Sequence, residues 1–285
     1  MRYRTSITLL IFLFLFSCLV ANAQDRVSIK PGFKAGDEKR YIVNAYVETN
    51  VTPKGANGIG GSSRGELAAT VSMRVLSVKD GQIEQEAVVE AISFTSNRAG
   101  STATSESKES PGKKIEFGIT PSGQLLKCVI PDSPGYLALA DLLFSVFRWY
   151  PRDEVNVGGT WEAAGRGSLF TERLSDATMN ASTTFKLSTI SKGLASIDGA
   201  ITLQQSGSSI FNPGRGNINV SVIANGKGSS HVDVDVGAGR LIESTTESRV
   251  EGTLVNIQPT AAGEKMNPRE GSLVEISKFS IKLIG

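Results

Sequence analysis

The strongest candidate for metal chemistry in this sequence is His231 with Asp233 and Asp235. Residues at alternate positions of a strand project from one face, so these three side chains could meet one cation. An imidazole and two carboxylates suit Mn, Fe or Zn. Adjacent side chains on such a face are about 7 Å apart, too far for three ligands to converge on one ion without a second strand. We therefore expect a solvent-facing polar row, and neither a metal nor a cofactor.

A second chemical signature is residues 61–65, Gly-Ser-Ser-Arg-Gly, which match the G-x-S-x-G pattern of hydrolases. A nucleophile elbow needs a strand before the serine and a helix after it. Ser63 instead lies in a Gly/Ser-rich segment, residues 54–65, which predicts a hairpin loop. Cys128 follows apolar residues in a predicted strand and is expected to be a buried small hydrophobic residue. Because the sequence offers no credible catalytic set, we expect a protein that is not an enzyme.

The N-terminus has the features of a secretory signal peptide. Arg2 and Arg4 precede an apolar run, residues 7–20, that is short for a bilayer core of about 30 Å. The run ends at Ala-Asn-Ala, a small-residue cleavage motif. We predict cleavage after Ala23 and export of the chain to the periplasm, the outer envelope or the extracellular space.

A lipoprotein signal is the alternative interpretation of the same segment. In that case Cys18 would be acylated and would tether the protein to a membrane. The bulky Phe16 and the apolar residues after Cys18 disfavour this interpretation.

The mature chain predicted by cleavage after Ala23 is electrically neutral. Loss of residues 1–23 removes two of the 30 basic residues and none of the 28 acidic ones, which leaves 28 of each among 262 residues. Without excess positive charge, nucleic acid is not an expected partner. Cys128 is then the one cysteine left, so the core must hold without an internal disulfide.

Alternating hydrophobicity dominates the mature sequence. Apolar and polar residues alternate over residues 41–52, and the same period recurs at 67–75, 232–236 and 279–283. Turn residues such as Asp80-Gly81 separate these runs. The pattern predicts a mainly β fold of antiparallel strands, built as one strongly curved, half-barrel-like sheet or as two packed sheets.

One segment, residues 133–150, breaks the alternation and predicts a long central helix. Ser133 is a suitable N-cap, Pro134 suits the first helical position, and Pro151 ends the segment. Its polar residues form a single narrow stripe, so the helix must be covered on almost all sides. Its length and charges do not allow it to cross a bilayer, and we expect no transmembrane span after signal cleavage.

The predicted helix separates two similar β halves, residues 24–132 and 151–285. An ungapped alignment that sets Met73 against Phe185 also pairs Gly81 with Gly193. Apolar positions then coincide with apolar positions and turns with turns, which indicates a duplicated β unit. The two halves are expected to form one structural unit.

Turn and strand-start motifs follow one another in a definite order along the chain. They are Lys30-Pro31-Gly32, Gly36-Asp37, the run at residues 75–81, a hairpin at Gly123, Tyr150-Pro151 and the run at residues 157–161. In this order they resemble a family of exported bacterial β-rich proteins of unknown function. The resemblance implies an envelope location and carries over no catalytic residue. A looser, architectural likeness is to half-barrel lipoprotein carriers, whose curved antiparallel sheet holds acyl chains on its concave face.

An apolar helix packed inside a curved sheet creates a concave apolar space that suits a small hydrophobic ligand. We therefore expect a non-enzymatic exported envelope protein that binds a lipid or other apolar ligand between helix and sheet. The residues expected to line that site are Leu139, Leu143, Phe147 and Trp149. The alternative is a structural β module that binds another envelope protein, with a helix that only completes the core.

Overall fold

The computed structural model describes residues 26–98, 105–107, 111–121, 125–145, 149–166, 178–211, 218–256 and 269–284. The predicted signal peptide with Cys18, the Gly123 turn and Phe147 lie outside the described residues. The strands are β1 (Glu38–Lys54), β2 (Gly61–Lys79), β3 (Gln82–Arg98), β4 (Ser105–Ser107), β5 (Lys114–Ile119), β6 (Leu125–Val129), β7 (Thr160–Arg166), β8 (Thr178–Ser191), β9 (Leu194–Phe211), β10 (Ile218–Asp235), β11 (Arg240–Asn256) and β12 (Glu270–Leu283), and the helix is α1 (Pro134–Ser145).

These strands form one open antiparallel sheet. Its order is β6-β5-β3-β2-β1-β12-β11-β10-β9-β8-β7, with β4 paired to β3 off this path. The prediction of a mainly β, antiparallel fold is confirmed, and of the two arrangements left open the chain adopts a single sheet. The first and last strands pair with each other over 14 residues at the centre of the sheet, so the two ends of the described chain are held together by a long ladder.

The alternating sequence gives the sheet two distinct faces. We call the face that carries Tyr41, Val43 and Val51 the inner face, because these side chains are buried while Ile42 on the other face is exposed. The predicted 54–65 loop is shorter than expected, because β1 continues through Lys54 and β2 begins at Gly61. Residues 61–65, whose Gly and Ser content suggested a loop, therefore belong to a strand.

Two hairpins share the same tight turn. Asp80 and Gly81 have φ values of 50° and 73°, and Lys192 and Gly193 have 52° and 81°. Positive φ at both central residues is the requirement of a type I′ turn, whose twist matches that of the flanking strands. The turn predicted at Asp80-Gly81 is thus confirmed in the β2–β3 hairpin, and β8–β9 repeats it.

The same two hairpins share details beyond their turns. The Gly36 N–H donates to the Val75 carbonyl oxygen at 2.8 Å, and the Gly158 N–H donates to that of Leu187 at 2.7 Å. One position after Val75 and one position after Leu187, the pairing register shifts at a bulge. In each case the strand that follows the glycine lies beside the bulged strand.

The helix α1 is short and deeply buried. It spans 12 residues, and Trp149 and Tyr150 follow it outside helical conformation, so the expectation of one long helix is only partly met. The Leu137 N–H donates to the Ser133 carbonyl oxygen at 3.0 Å at the helix start. Phe144 packs edge-on against Phe117 of β5, with ring centroids 5.5 Å apart. In the described part of the chain, no helix is long and apolar enough to span a membrane.

Buried apolar residues on the inner face form two separate clusters. The first cluster surrounds α1 and includes Tyr41, Val43, Leu139 and Leu143. The second cluster lies at the opposite ends of the long strands and consists of Val51, Ile59, Leu203, Val220, Val222, Ala224, Val250, Leu254 and Leu273. Between the clusters, Val47 of the inner face is 39% exposed. The inner face is therefore covered at the α1 end and open near its middle.

Candidate functional site

His231 lies on the outer face of β10 between two carboxylates. Its Nδ1 is 2.8 Å from Asp198 Oδ1, and its Nε2 is 3.3 Å from Asp233 Oδ1. Asp235 takes no part in this group, because its carboxylate pairs with Arg240 at 3.2 Å. His231, Asp233 and Asp235, the three residues considered as a metal site, therefore do not converge on one point. The second carboxylate beside His231 comes from Asp198 of β9.

The charges around His231 favour an ion pair rather than a ligand set. Hydrogen bonds from Ser188 and His231 hold the pKa of the Asp198 carboxyl below its usual range. The hydrogen bond to Asp198 and the charge of Asp233 raise the pKa of His231, against the opposing effect of partial burial. A protonated imidazole can donate to both of these carboxylates, one from each nitrogen. Within the described ranges, no group of three His, Cys, Asp or Glu side chains is placed to hold a metal ion.

The serine and cysteine considered as nucleophiles occupy ordinary strand positions. Ser63 lies within β2, where it pairs with Thr49 of β1, rather than in the loop predicted for it. Since both ring nitrogens of His231 face carboxylates, that imidazole is not presented to Ser63 as a base. Cys128 is half-buried in β6 opposite Phe117 and packs against the first cluster.

The residues predicted to line a ligand site beside the helix are packed into the core instead. Leu139, Leu143 and Trp149 are all buried in the first cluster. The Trp149 ring stacks on Tyr150 with centroids 3.8 Å apart. The space between α1 and the sheet is thus filled at these positions by side chains, while Phe147 lies outside the described residues.

A cavity of about 290 Å³ lies at the end of the inner face, where the chain before β1 crosses the β10–β11 turn. We call it the end cavity. Its lining is Gly32, Phe33, Lys34, Asp37, Lys39, Tyr41, Met73, Val75, Gln85, Tyr150, Gly237, Ala238, Gly239, Arg240 and Leu241. Most of its walls are apolar or aromatic, and its charged residues are concentrated on the segments around β1 and β11.

Backbone hydrogen bonds fix the walls of the end cavity. The Gly32 N–H donates to the Gly239 carbonyl oxygen at 3.0 Å, and the Tyr150 hydroxyl donates to the same oxygen at 3.2 Å. An added Cβ on Gly239 would lie 2.2 Å from Gly32 N, and the φ of Gly239 is 59°, so this position requires glycine. Further along, Val27 and Val155 exchange backbone hydrogen bonds of 2.9 and 3.0 Å.

Two nitrogen donors at the end cavity are buried without an acceptor. Gln85 of β3 is 2% exposed, and its Nε2 has no hydrogen-bond partner among the described residues. Arg240 at the start of β11 pairs with Asp235, but its Nε has no partner in this part of the structure either. Buried polar groups are normally hydrogen-bonded, and an exception needs a reason. At this site a bound acceptor would provide one.

The two tyrosines of the end cavity are neutral. Burial raises the pKa of Tyr41 to about 12, although the nearby Arg240 charge opposes the shift. Burial also raises the pKa of Tyr150, and the proximity of Tyr41 adds to that rise. Both phenols therefore remain protonated, so they act as apolar walls with a hydroxyl rather than as bases.

A larger groove of about 470 Å³ crosses the outer face over β1, β2, β3, β11 and β12. The charged side chains that line it are paired with each other or with a neighbouring residue. Lys278 pairs with Glu247 at 2.9 Å, Arg64 pairs with Glu66, and the Arg64 guanidinium lies over the Tyr46 ring. Because these groups are already paired and the groove is wide open, we place the candidate site at the end cavity.

Sequence reasoning did not identify Gln85, Arg240 or Tyr150 as residues of a functional site. One usable signal is present, because the ungapped alignment of the two halves sets Gln85 against Ile197, a buried residue of the first cluster. An amide at a position that is apolar in the other half marks a departure from simple core packing. No comparable signal singles out Arg240.

The chain is distantly similar to β-rich proteins of known structure. A lipovitellin chain, from a structure described as lipid-protein interactions in lipovitellin, matches at 10% identity and a TM-score of 0.47. That match covers 89% of this chain, which spans about a quarter (25%) of the lipovitellin chain. Pseudomonas aeruginosa OccK7 (OpdD) matches at 10% identity and a TM-score of 0.28, over 88% of this chain and 99% of that one. Acinetobacter baumannii OccAB3 follows at 7% identity and a TM-score of 0.19, over 87% and 100%.

No curated protein matches the sequence. A family model does match, over residues 122–240, a range that includes α1, β7 to β10, Tyr150 and Arg240. Its description names no activity. The resemblance expected from the turn and strand-start motifs is thus confirmed for this part of the chain, which matches a family of unknown function (DUF6263).

Proposed function

We propose that this is a non-enzymatic envelope protein that binds an apolar ligand in the end cavity. The observation that carries the proposal is a preformed cavity whose walls are largely apolar and whose two buried donors lack acceptors. Small-molecule sites combine mainly apolar walls with a few convergent polar groups in this way. A volume of about 290 Å³ lies just below the range of about 300–1,000 Å³ that is typical of such sites, so it suits a small ligand.

The proposed ligand site differs from the site between helix and sheet that the sequence predicted. Leu139, Leu143 and Trp149 fill the space beside α1, whereas the end cavity lies past Tyr150 between β1–β3 and β11. Each methylene buried there would contribute about 0.8 kcal/mol to binding. A short or medium acyl chain is therefore a suitable ligand for the walls.

The protein purified from its native host is expected to carry an apolar small molecule, and after delipidation to bind a fluorescent fatty acid at micromolar concentration. Extraction with organic solvent followed by mass spectrometry tests the first expectation, and fluorescence titration tests the second. A ligand present at 100 times its dissociation constant should also stabilise the protein by about 2.7 kcal/mol. Clean extracts together with no probe binding and no thermal shift would favour the structural, partner-binding module instead.

Two variants on the same strand give a matched control for this experiment. Val75 lines the end cavity, so Val75→Phe should fill part of it and weaken probe binding. Val78 is 44% exposed and does not line the cavity, so Val78→Phe should bind the probe like the parent protein. Equal binding by both variants would place the ligand elsewhere.

Export is part of the same proposal. Arg2, Arg4, the apolar run at residues 7–20 and the Ala-Asn-Ala motif support cleavage after Ala23. The intact mass of the protein recovered from its native host is expected to correspond to a chain that begins at Gln24. A species that begins at Cys18 and carries acyl mass would establish the lipoprotein alternative.

We further propose that the sheet consists of two copies of one β unit. The paired positions Val75 and Leu187 support this, because each is followed by a bulge and the hydrogen bonds to the preceding glycine segments correspond. The strand order also supports it, since β1, β2 and β3 follow one another across the sheet in the same direction as β7, β8 and β9. In that comparison the two copies differ at the end cavity, where Gln85 of the first copy stands in place of Ile197 of the second.

A further inference from the structure

We propose that the ligand of the end cavity is an amphiphile with an apolar body and a single anionic head, held by Gln85 and Arg240. This inference rests on the proposed function and adds the chemistry of the head group. Gln85 and Arg240 both line the end cavity, and Gln85 Nε2 and Arg240 Nε are buried donors without acceptors among the described residues. An anionic oxygen accepts hydrogen bonds from both an amide and a guanidinium, and such charge-assisted bonds are the stronger kind.

The charges that line the end cavity favour an anion. Lys34, Lys39 and Arg240 line it, against one carboxylate, that of Asp37. Asp37 already accepts a hydrogen bond from the Lys34 backbone N–H at 3.1 Å. Neither lysine has an ion-pair partner in the part of the chain that the structure describes. Asp235 pairs with the Nη2 end of the Arg240 guanidinium and leaves Nε without an acceptor among the described residues.

The donor set also argues against other head groups. An ammonium has only hydrogens to donate and would meet the guanidinium as a like charge, so a cationic amphiphile would leave Gln85 Nε2 and Arg240 Nε unsatisfied. A neutral alcohol could accept from these donors but has no negative charge to balance that of the guanidinium. The apolar walls, which include Phe33, Met73 and Leu241, then take the hydrocarbon body.

A comparison of three ligands with one chain length tests the head group on the delipidated mature protein. The ligands are dodecanoate, dodecyl phosphate and dodecanol, and the measurement is displacement of a fluorescent fatty acid. We expect at least one of the two anions to bind about tenfold or more tightly than dodecanol, as the loss of a hydrogen bond to a charged group implies. The ratio between the two anions distinguishes a carboxylate ligand from a phosphate ligand, and either result supports the inference.

Three variants locate the head group. Arg240→Gln and Gln85→Leu should each weaken anion binding by a larger factor than they weaken dodecanol binding. Arg249→Gln is the matched control, because Arg249 lies on the same strand, β11, and pairs with Glu251 at 2.7 Å at an exposed position. Thermal melts of each variant identify any that lose the fold, and two independent variants keep the test decisive if one does.

The outcomes of these experiments distinguish the head-group inference from the proposed function, which is binding of an apolar ligand. If dodecanol binds as tightly as both anions, or if Arg240→Gln and Gln85→Leu both bind anions like Arg249→Gln, the head-group inference is wrong and an apolar-ligand site remains. If none of the three ligands binds, both the inference and the proposed function are wrong.

Discussion

Leu143→Ala is expected to lower the free energy of unfolding by about 2–5 kcal/mol, the usual cost of emptying a fully buried leucine site. Leu143 is 1% exposed and belongs to the first cluster, where α1 meets the inner face of the sheet. The cost has two parts, the lost transfer of the side chain out of water and the cavity that rigid neighbours leave unfilled. Strands surround this site, so the backbone has little freedom to collapse into the gap.

Leu126→Ala is the matched control for that prediction. Leu126 lies on the edge strand β6 and is 47% exposed, so the same truncation should change stability by no more than about 0.5 kcal/mol. Urea unfolding of the protein, followed by circular dichroism, measures both variants. Similar small changes for Leu143 and Leu126 would mean that α1 is peripheral and that the first cluster is not the stabilising core.

The strands were the most predictable part of this fold. A period of two in hydrophobicity is read directly from the chain, and at Tyr41 and Val43 it marks the buried face correctly. Val232 and Val234 are buried as the same pattern predicts, while His231 of β10, which pairs with Asp198 of β9, faces outward. Local signals of this kind depend on neighbouring residues alone, which is why they could be predicted without a structure.

The end cavity could not be predicted in the same way, because its residues meet only through long-range pairing. Gln85 belongs to β3, Tyr150 follows α1, and Arg240 begins β11. They come together because β1 pairs with β12 and because the segment at Gly32 crosses over Gly239. Sequence alternation fixes which face a side chain occupies but leaves open which strands are neighbours.

The predicted helix, residues 133–150, was longer than α1 (Pro134–Ser145) for a related reason. Apolar composition alone does not mark where helical conformation stops.

The two apolar clusters of the inner face have different relations to the end cavity. The first cluster encloses α1 and supports the walls of the end cavity through Tyr41, Met73 and Val75, which belong to both. The second cluster packs the other ends of the strands and contributes no residue to that cavity. Variants in the second cluster should therefore affect stability without a direct effect on ligand binding.

Gly252→Ala is expected to destabilise the protein by about 1–3 kcal/mol, the range for overpacking a filled site. Gly252 lies in β11 opposite Ala224 of β10. A Cβ added there would lie 2.3 Å from the Ile223 carbonyl oxygen and 2.4 Å from Ala224 Cβ. The first of these contacts is to backbone, so a rotamer change cannot relieve it and the β10–β11 ladder must shift.

Gly65→Ala is the matched control, because Gly65 is also a strand glycine on the inner face but has open space around it. Apart from Gly65 and its two chain neighbours, no described residue has a heavy atom within 4 Å of a Cβ built at Gly65, and the φ of Gly65 is not positive. The change should be neutral or stabilise by up to about 1 kcal/mol, since alanine restricts the unfolded chain more than glycine does. Scanning calorimetry should then show a lower melting temperature for Gly252→Ala alone, by roughly 2–4 °C for each kcal/mol in a domain of 150–250 residues. A melting temperature for Gly252→Ala equal to that of Gly65→Ala would mean that β10 and β11 do not approach each other as closely as this packing requires.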